Sequence, residues 1–139
     1  MTSKSRHQDL SVTAEQVRIP KSNILPHNRS ASGQLAEKLA RDFLERQGLI
    51  TLARRFKVKL GEIDLIMGDG ETTVFVEVRY RSSPSFGGAI SSINSKKRKS
   101  LQKAALCWIQ ANPGVSRFDV IAIDGDELKW IQNAFSIAL

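Results

Sequence analysis

The sequence predicts an α/β fold, a mixed sheet flanked by helices, and three observations carry that prediction. Apolar residues recur at helical spacing in two segments, about residues 32–47 and 95–111. Between and after them run GEIDLIMG, TTVFVEVRYR and RFDVIAI, rich in β-branched and apolar residues as strands are. Turn residues punctuate the runs, Asp69-Gly70 between two of them and Asn112-Pro113-Gly114 after the second helix. The implied order is helix, three strands, helix, strand and a small terminal strand, which layers helices on a sheet.

Each element has its own warrant. Ser32 can cap the first helix, Leu35, Leu39, Phe43 and Leu44 form its apolar stripe, and Gly48 suits its end. A strand about Leu49–Phe56 follows, its continuation RRFKVK basic on alternate positions. Asp69-Gly70 between the next two runs is a hairpin signal. SSPSFGGAISSIN, rich in Ser and Gly, reads as a loop, in which Gly87-Gly88 either approaches a backbone closely or links elements. Asn94 or Ser95 caps the second helix, which runs to about Ala111. Leu101, Ala104, Ala105 and Trp108 make its docking stripe, and Cys107 beside Trp108 reads as core. Arg117–Ile123, a DGDE turn and Leu128–Gln132 complete the sheet.

Two regions are expected. Residues 1–31 hold five basic and two acidic residues, Pro20, Pro26 and no sustained periodicity, and read as a flexible basic tail with a short helix over Ala14–Arg18. Residues 32–139 form the domain. The chain's 139 residues, 41% hydrophobic and 25% charged, suit one ordinary globular domain. No apolar run approaches the ~20 residues that span a bilayer, and the N-terminus lacks a secretory h-region, so no membrane partner is expected. A lone cysteine, Cys107, excludes an internal disulfide and a thiolate zinc site, and fits a reducing cytoplasm. A net charge of +7 attracts polyanions, nucleic acid foremost.

The chemistry gathers on VFVEVRYR. Alternation puts Phe75, Glu77, Arg79 and Arg81 on one face of that strand, and Glu62, Asp64 and Ile66 on one face of the strand before it. A two-residue Asp69-Gly70 loop sets Glu62 opposite Glu77; a four-residue loop sets Asp64 there. Either register brings Asp64 and Glu77 to the same face, roughly 5–8 Å apart at the Cβ atoms. Two such carboxylates repel, and a hard cation such as Mg²⁺ relieves that while acting on a phosphate. The other account is a structural ion-pair network in which Arg79 and Arg81 neutralise Asp64 and Glu77.

GEIDLI followed by VFVEVRYR, together with GQLAEKLA, the SKKRKSLQKAA helix and RFDVIAI, resembles the YraN family over about residues 33–135. That family is similar to the restriction-endonuclease-like and Holliday-junction-resolvase-like nucleases. The resemblance implies an α-β-β-β-α-β core and a motif of Asp, a gap, then Glu-x-Lys. It implies Asp64 and Glu77 as ligands of Mg²⁺ or Mn²⁺, and Glu37 as a further contact to a metal-bound water. Arg79 stands at the lysine position; arginine stays charged, so it can hold a phosphate but cannot act as a base. A resolvase-like role implies a symmetric homodimer.

Basic clusters extend the expectation to nucleic acid, DNA in particular. The second helix opens with Lys96, Lys97, Arg98, Lys99 and then Lys103, cations that oppose the helix dipole but hold phosphates. Arg54 and Arg55, with Lys57 and Lys59, either flank the same groove or guard a sheet edge. Both histidines, His7 and His27, lie in the tail, so a Ser–His or Cys–His relay in the domain lacks its base. No Gly-rich phosphate loop or GxSxG occurs. A metal-dependent endonuclease-like protein is the expectation, with a non-catalytic nucleic-acid-binding module or a protein-interaction subunit as the alternatives.

Overall fold

A computed structural model of the chain describes residues 13–18, 29–81 and 92–136. Its elements are β1 (Thr13–Arg18), α1 (Arg29–Arg46), β2 (Ile50–Val58), β3 (Gly61–Asp69), β4 (Thr72–Arg81), α2 (Ser95–Ala111), β5 (Ser116–Asp124) and β6 (Glu127–Phe135). They form one six-stranded sheet in the order β1-β6-β5-β4-β3-β2. Only β4 and β5 run parallel, and α2 lies in the crossover between them. From α1 onward this is the expected α/β, restriction-endonuclease-like α-β-β-β-α-β core.

Strand alternation divides the interior between the two helices. Val74 and Val76 of β4 pack with Leu65, Met67, Ile121, Ile123 and Trp130 beneath Ala36, Ala40, Phe43 and Leu44 of α1. Phe75 points the other way, meeting Ile66 and Phe118 beneath Leu101, Ala104 and Ala105 of α2. Of the predicted stripes, Phe43, Leu44, Leu101, Ala104 and Ala105 are buried, while Leu35, Leu39 and Trp108 are partly buried against the same clusters. Cys107 corrects the expectation that it is core: it is exposed. It lies one residue, about 100° of helical turn, from the Trp108 position.

Gly61 explains the closeness of α2 to β3. A Cβ there would lie 2.1 Å from the Ser100 carbonyl oxygen and 3.2 Å from the Ala104 nitrogen, both main-chain atoms that cannot swing aside. Gly61→Ala is therefore expected to force α2 off the sheet and cost roughly 1–3 kcal/mol, an overpacking penalty. Denaturant unfolding checks this; a change below about 0.5 kcal/mol, ordinary for a surface site, would contradict the packing.

Three further differences from the sequence expectation have physical causes. Thr13–Arg18 is a strand, not a short helix: it pairs antiparallel with β6 from Thr13↔Gln132 to Arg18↔Glu127. Residues 14–18 are all exposed, so no apolar alternation announced it; ladder bonds and contacts of Arg18 with Asp126 and Gln16 with Glu127 hold it. The first helix begins at Arg29, three residues before Ser32, and the last strand runs on to Phe135, whose ring stacks on Phe118. His7, His27 and Gly87-Gly88 lie outside the described residues.

One buried polar cluster was not foreseen. Asp119 is fully buried where the β5–β6 register shifts between Phe118 and Val120. It accepts from Arg117 Nε (2.9 Å) and Nη2 (3.1 Å), Trp130 Nε1 (3.0 Å) and the Asn133 N–H (2.9 Å). Arg117 Nη2 also reaches Asp69 at 3.1 Å, tying β5 to the end of β3. Asn133 has φ 54°, a left-handed conformation that suits asparagine and aims its N–H at the carboxylate.

Candidate active site

The hairpin fixes the site. Asp69 pairs with Thr72, leaving Gly70-Glu71 as the loop, and Gly70 supplies the positive φ (60°) that its first position takes. This shifts the turn one residue along from Asp69-Gly70 and selects the register in which Asp64 comes level with Glu77. The β3–β4 ladder runs from there to Leu65↔Val76, whereas β3 stays paired with β2 as far as Val58↔Gly61. Where the main-chain ladder ends, Asp64 supplies the acceptor: its Oδ2 takes the Val78 N–H at 2.9 Å.

The strand also turns over at this point. Strict alternation would put Ile63 with Leu65 and Met67 under α1, yet it packs with Ile66 and Phe75 under α2. Opposite, the β2 register passes from Arg54↔Leu65 to Phe56↔Ile63, and the residue between, Arg55, has φ 50°. A left-handed arginine is a strained conformation of the kind that collects at functional sites.

Glu77 is the centre of the arrangement. It is 2% exposed, and its Oε1 has no hydrogen-bond partner among the described residues. Lys97 Nζ of α2 lies 3.6 Å from Oε2, and Arg79 Nε lies 3.1 Å away without its N–H directed at the oxygen. Burial first, then the charge of Asp64 and a hydrogen bond shared with it, push the Glu77 carboxyl up to about 9; Lys97 and Arg79 pull the other way and do not overcome this. Burial and the neighbouring Asp64 thus favour the protonated form of the Glu77 carboxyl.

The donor set fits Mg²⁺ or Mn²⁺. These ions take one or two carboxylates and complete their shell with waters and phosphate oxygens. Asp64 and the unpaired Oε1 of Glu77 offer that, although among the described residues no group of three or more His, Cys, Asp or Glu is arranged to hold a metal.

The other candidates separate by position. Arg79 sits beside Glu77 and donates from Nη2 to the Ser92 carbonyl at 3.4 Å. Arg81 is exposed at the end of β4. Lys96, Arg98, Lys99 and Lys103 lie exposed on α2, Arg98 over the Phe135 ring at 5.2 Å. Trp108 is half-buried, edge-on to Phe56. Glu37, on α1, bonds Arg55 Nε at 3.0 Å, and Arg55 in turn feels the charges of Glu62 and Asp64. Glu37 thus faces Arg55 rather than Glu77. Glu62 lies near Lys57, 3.9 Å from its ammonium.

Lys97 is what the sequence undervalued. Its place in a basic run suggested phosphate contact alone, yet its ammonium lies against Glu77 on the face of the sheet that α2 covers. Asn94 caps the helix by accepting the Lys97 N–H at 2.9 Å, and the close approach at Gly61 seats that turn on β3. The ammonium that position 79 lacks thus lies against Glu77 from α2.

Comparison with known proteins agrees with the extent of this core. A model of the family described as "Uncharacterised protein family UPF0102" matches residues 36–123, which include Glu37, Asp64, Glu77, Arg79 and Lys97. The chain is 56% identical over 103 residues to a UPF0102 protein of Halorhodospira halophila, covering 74% of this chain and 85% of that one. A UPF0102 protein of Serratia proteamaculans is 48% identical over 115 residues, 78% of this chain and 97% of its own length.

Proposed function

The chain belongs to the UPF0102, or YraN, family, and from that premise and the site's geometry we propose that it binds DNA and cleaves it at phosphodiester bonds with a bound divalent metal. The observation that carries this is Glu77: a buried carboxyl beside Asp64, with one oxygen unpaired and two cations against the other. Asp64 and Glu77 would hold Mg²⁺ or Mn²⁺, which when bound supplies Lewis acidity toward the phosphate and a water acidified for attack. Lys97 holds positive charge where negative charge grows on the reacting phosphate, and can orient a water or exchange a proton with it. Arg79, permanently charged, clamps a phosphate oxygen. Lys96, Arg98, Lys99 and Lys103 extend the positive surface along α2 and hold the strand.

A second reading rests on a specific observation. Lys97 and Arg79 together can neutralise an ionised Glu77, and the site then serves as a structural support for a non-catalytic nucleic-acid-binding module.

Incubation with linear, nicked and branched DNA and with RNA, in Mg²⁺ or Mn²⁺, decides between them. Cleavage is expected to fall roughly 10²-fold or more in Asp64→Ala, Glu77→Ala and Lys97→Ala. Cleavage that persists in Asp64→Ala or Glu77→Ala rules out the site. Salt-sensitive binding without cleavage by the wild type establishes the second reading.

A further inference from the structure

A cavity of about 380 Å³ lies on the α1 side, lined by Gln34, Glu37, Lys38, Arg41, Arg54, Arg55 and Leu65. Gln34, Lys38 and Arg41 fall at i, i+4 and i+7, so one polar stripe of α1 looks across at Arg54 and Arg55 of β2. Four cations thus converge on one concavity. Like charges facing each other destabilise a fold, and a sequence selected for stability alone would place acids on one of the two walls.

The charges can be accounted for one by one. Lys38 pairs with Asp42 at 2.8 Å, and Arg55 with Glu37 at 3.0 Å. Arg41 and Arg54 have no ion-pair partner within 4.0 Å among the described residues. The surplus is two positive charges, both guanidinium groups, whose planar forks suit phosphate oxygens. A phosphodiester brings one negative charge, whereas a phosphate monoester brings about −1.5 to −2 at pH 7. The volume is in the range of small-molecule sites, roughly 300–1,000 Å³, and exceeds what a bare phosphate fills. Leu65 adds an apolar wall and Gln34 a donor and an acceptor for the rest of the ligand.

We propose that the cavity between α1 and β2 binds a phosphate monoester carried on a nucleotide, either a free mononucleotide or the phosphorylated end of a strand, through Arg41 and Arg54. The proposal does not depend on cleavage at Asp64 and Glu77, which lie at the β3–β4 break and not among the cavity's walls.

The test compares adenosine 5′-monophosphate with adenosine, and an oligonucleotide carrying a terminal phosphate with its hydroxyl-ended counterpart, by calorimetric titration of the full chain. In at least one pair the phosphorylated member is expected to bind at least about tenfold tighter, as charge-assisted hydrogen bonds imply. Preference in the first pair alone identifies a free mononucleotide, and preference in the second a strand end. The preference should vanish in Arg41→Ala/Arg54→Ala, shown folded by circular dichroism. It should persist in Lys129→Ala, an exposed charge change elsewhere, and in Glu77→Ala. Equal affinities in both pairs for the wild type overturn the proposal, whatever becomes of the double variant. So does a preference that survives the loss of both arginines. Loss of cleavage in Glu77→Ala with the preference intact bears only on the proposed nuclease reaction.

Discussion

Asp119→Ala is expected to lower stability by roughly 3–5 kcal/mol, the cost of stripping a buried cation of its partner. Arg117 is almost as buried as Asp119, with 9% of its side chain exposed, and the substitution leaves only Asp69 to face it. Trp130 Nε1 and the Asn133 N–H would lose an acceptor in the same step. A domain of this kind is stable by only about 5–15 kcal/mol, so the loss is a large share of the whole. Thermal denaturation should show Tm falling by roughly 10 °C or more. Asp119→Asn, which keeps the shape and one acceptor oxygen, should fall between wild type and alanine. A shift in Asp119→Ala of under about 3 °C, less than 1 kcal/mol, would mean that the four contacts do not act as one unit.

Glu77→Gln is expected to stabilise the metal-free protein at neutral and alkaline pH while removing its response to metal. The sign follows from the direction of the shift. The folded carboxyl, at about 9, holds its proton more tightly than the unfolded one near 4.5, so the folded state carries the extra proton between those values. This contribution is complete below about pH 4.5 and is lost as pH rises through about 9. Glutamine mimics the protonated carboxyl and does not titrate. At pH 7 the variant should gain on the order of 3 kcal/mol over wild type, and the pH slope of stability in that window should flatten. Adding Mg²⁺ or Mn²⁺ at pH 8 should raise the wild-type Tm and release a proton, with no such effect in Glu77→Gln. A variant less stable than wild type at pH 8 without metal would show that the ion pairs with Lys97 and Arg79, not burial and Asp64, set the state of Glu77.

Much of this architecture was legible because its signals are periodic. The α1 and α2 stripes and the strand runs are local patterns, the Asp69-Gly70 signal fell one residue from the Gly70-Glu71 loop, and strand parity put Asp64 and Glu77 on one face. Which of two registers applied was not readable, because it depended on whether Asp69 or Gly70 opened the loop. Lys97 was named, but its role depends on how closely a helix more than thirty residues downstream approaches Gly61. Residues 14–18 of β1 are exposed and so left no hydrophobic trace. Asp119 sat inside an apolar run where a single acid gives no period, and its donors come from three positions on two strands, β5 and β6.

The place of β1 at the sheet's margin bears on the order of assembly. Its register joins Thr13 to Gln132, nearly opposite ends of the chain, so its pairing cannot form until β6 is in place. Closing so long a loop is entropically costly, and exposed side chains return little for it. β1 is therefore expected to dock last and to leave first. The rest of the sheet, from β6 to β2, pairs without it, and loss of β1 would uncover a row of unsatisfied amides along β6. The N-terminal strand is best understood as a detachable selvedge: it finishes the cloth without holding its weave.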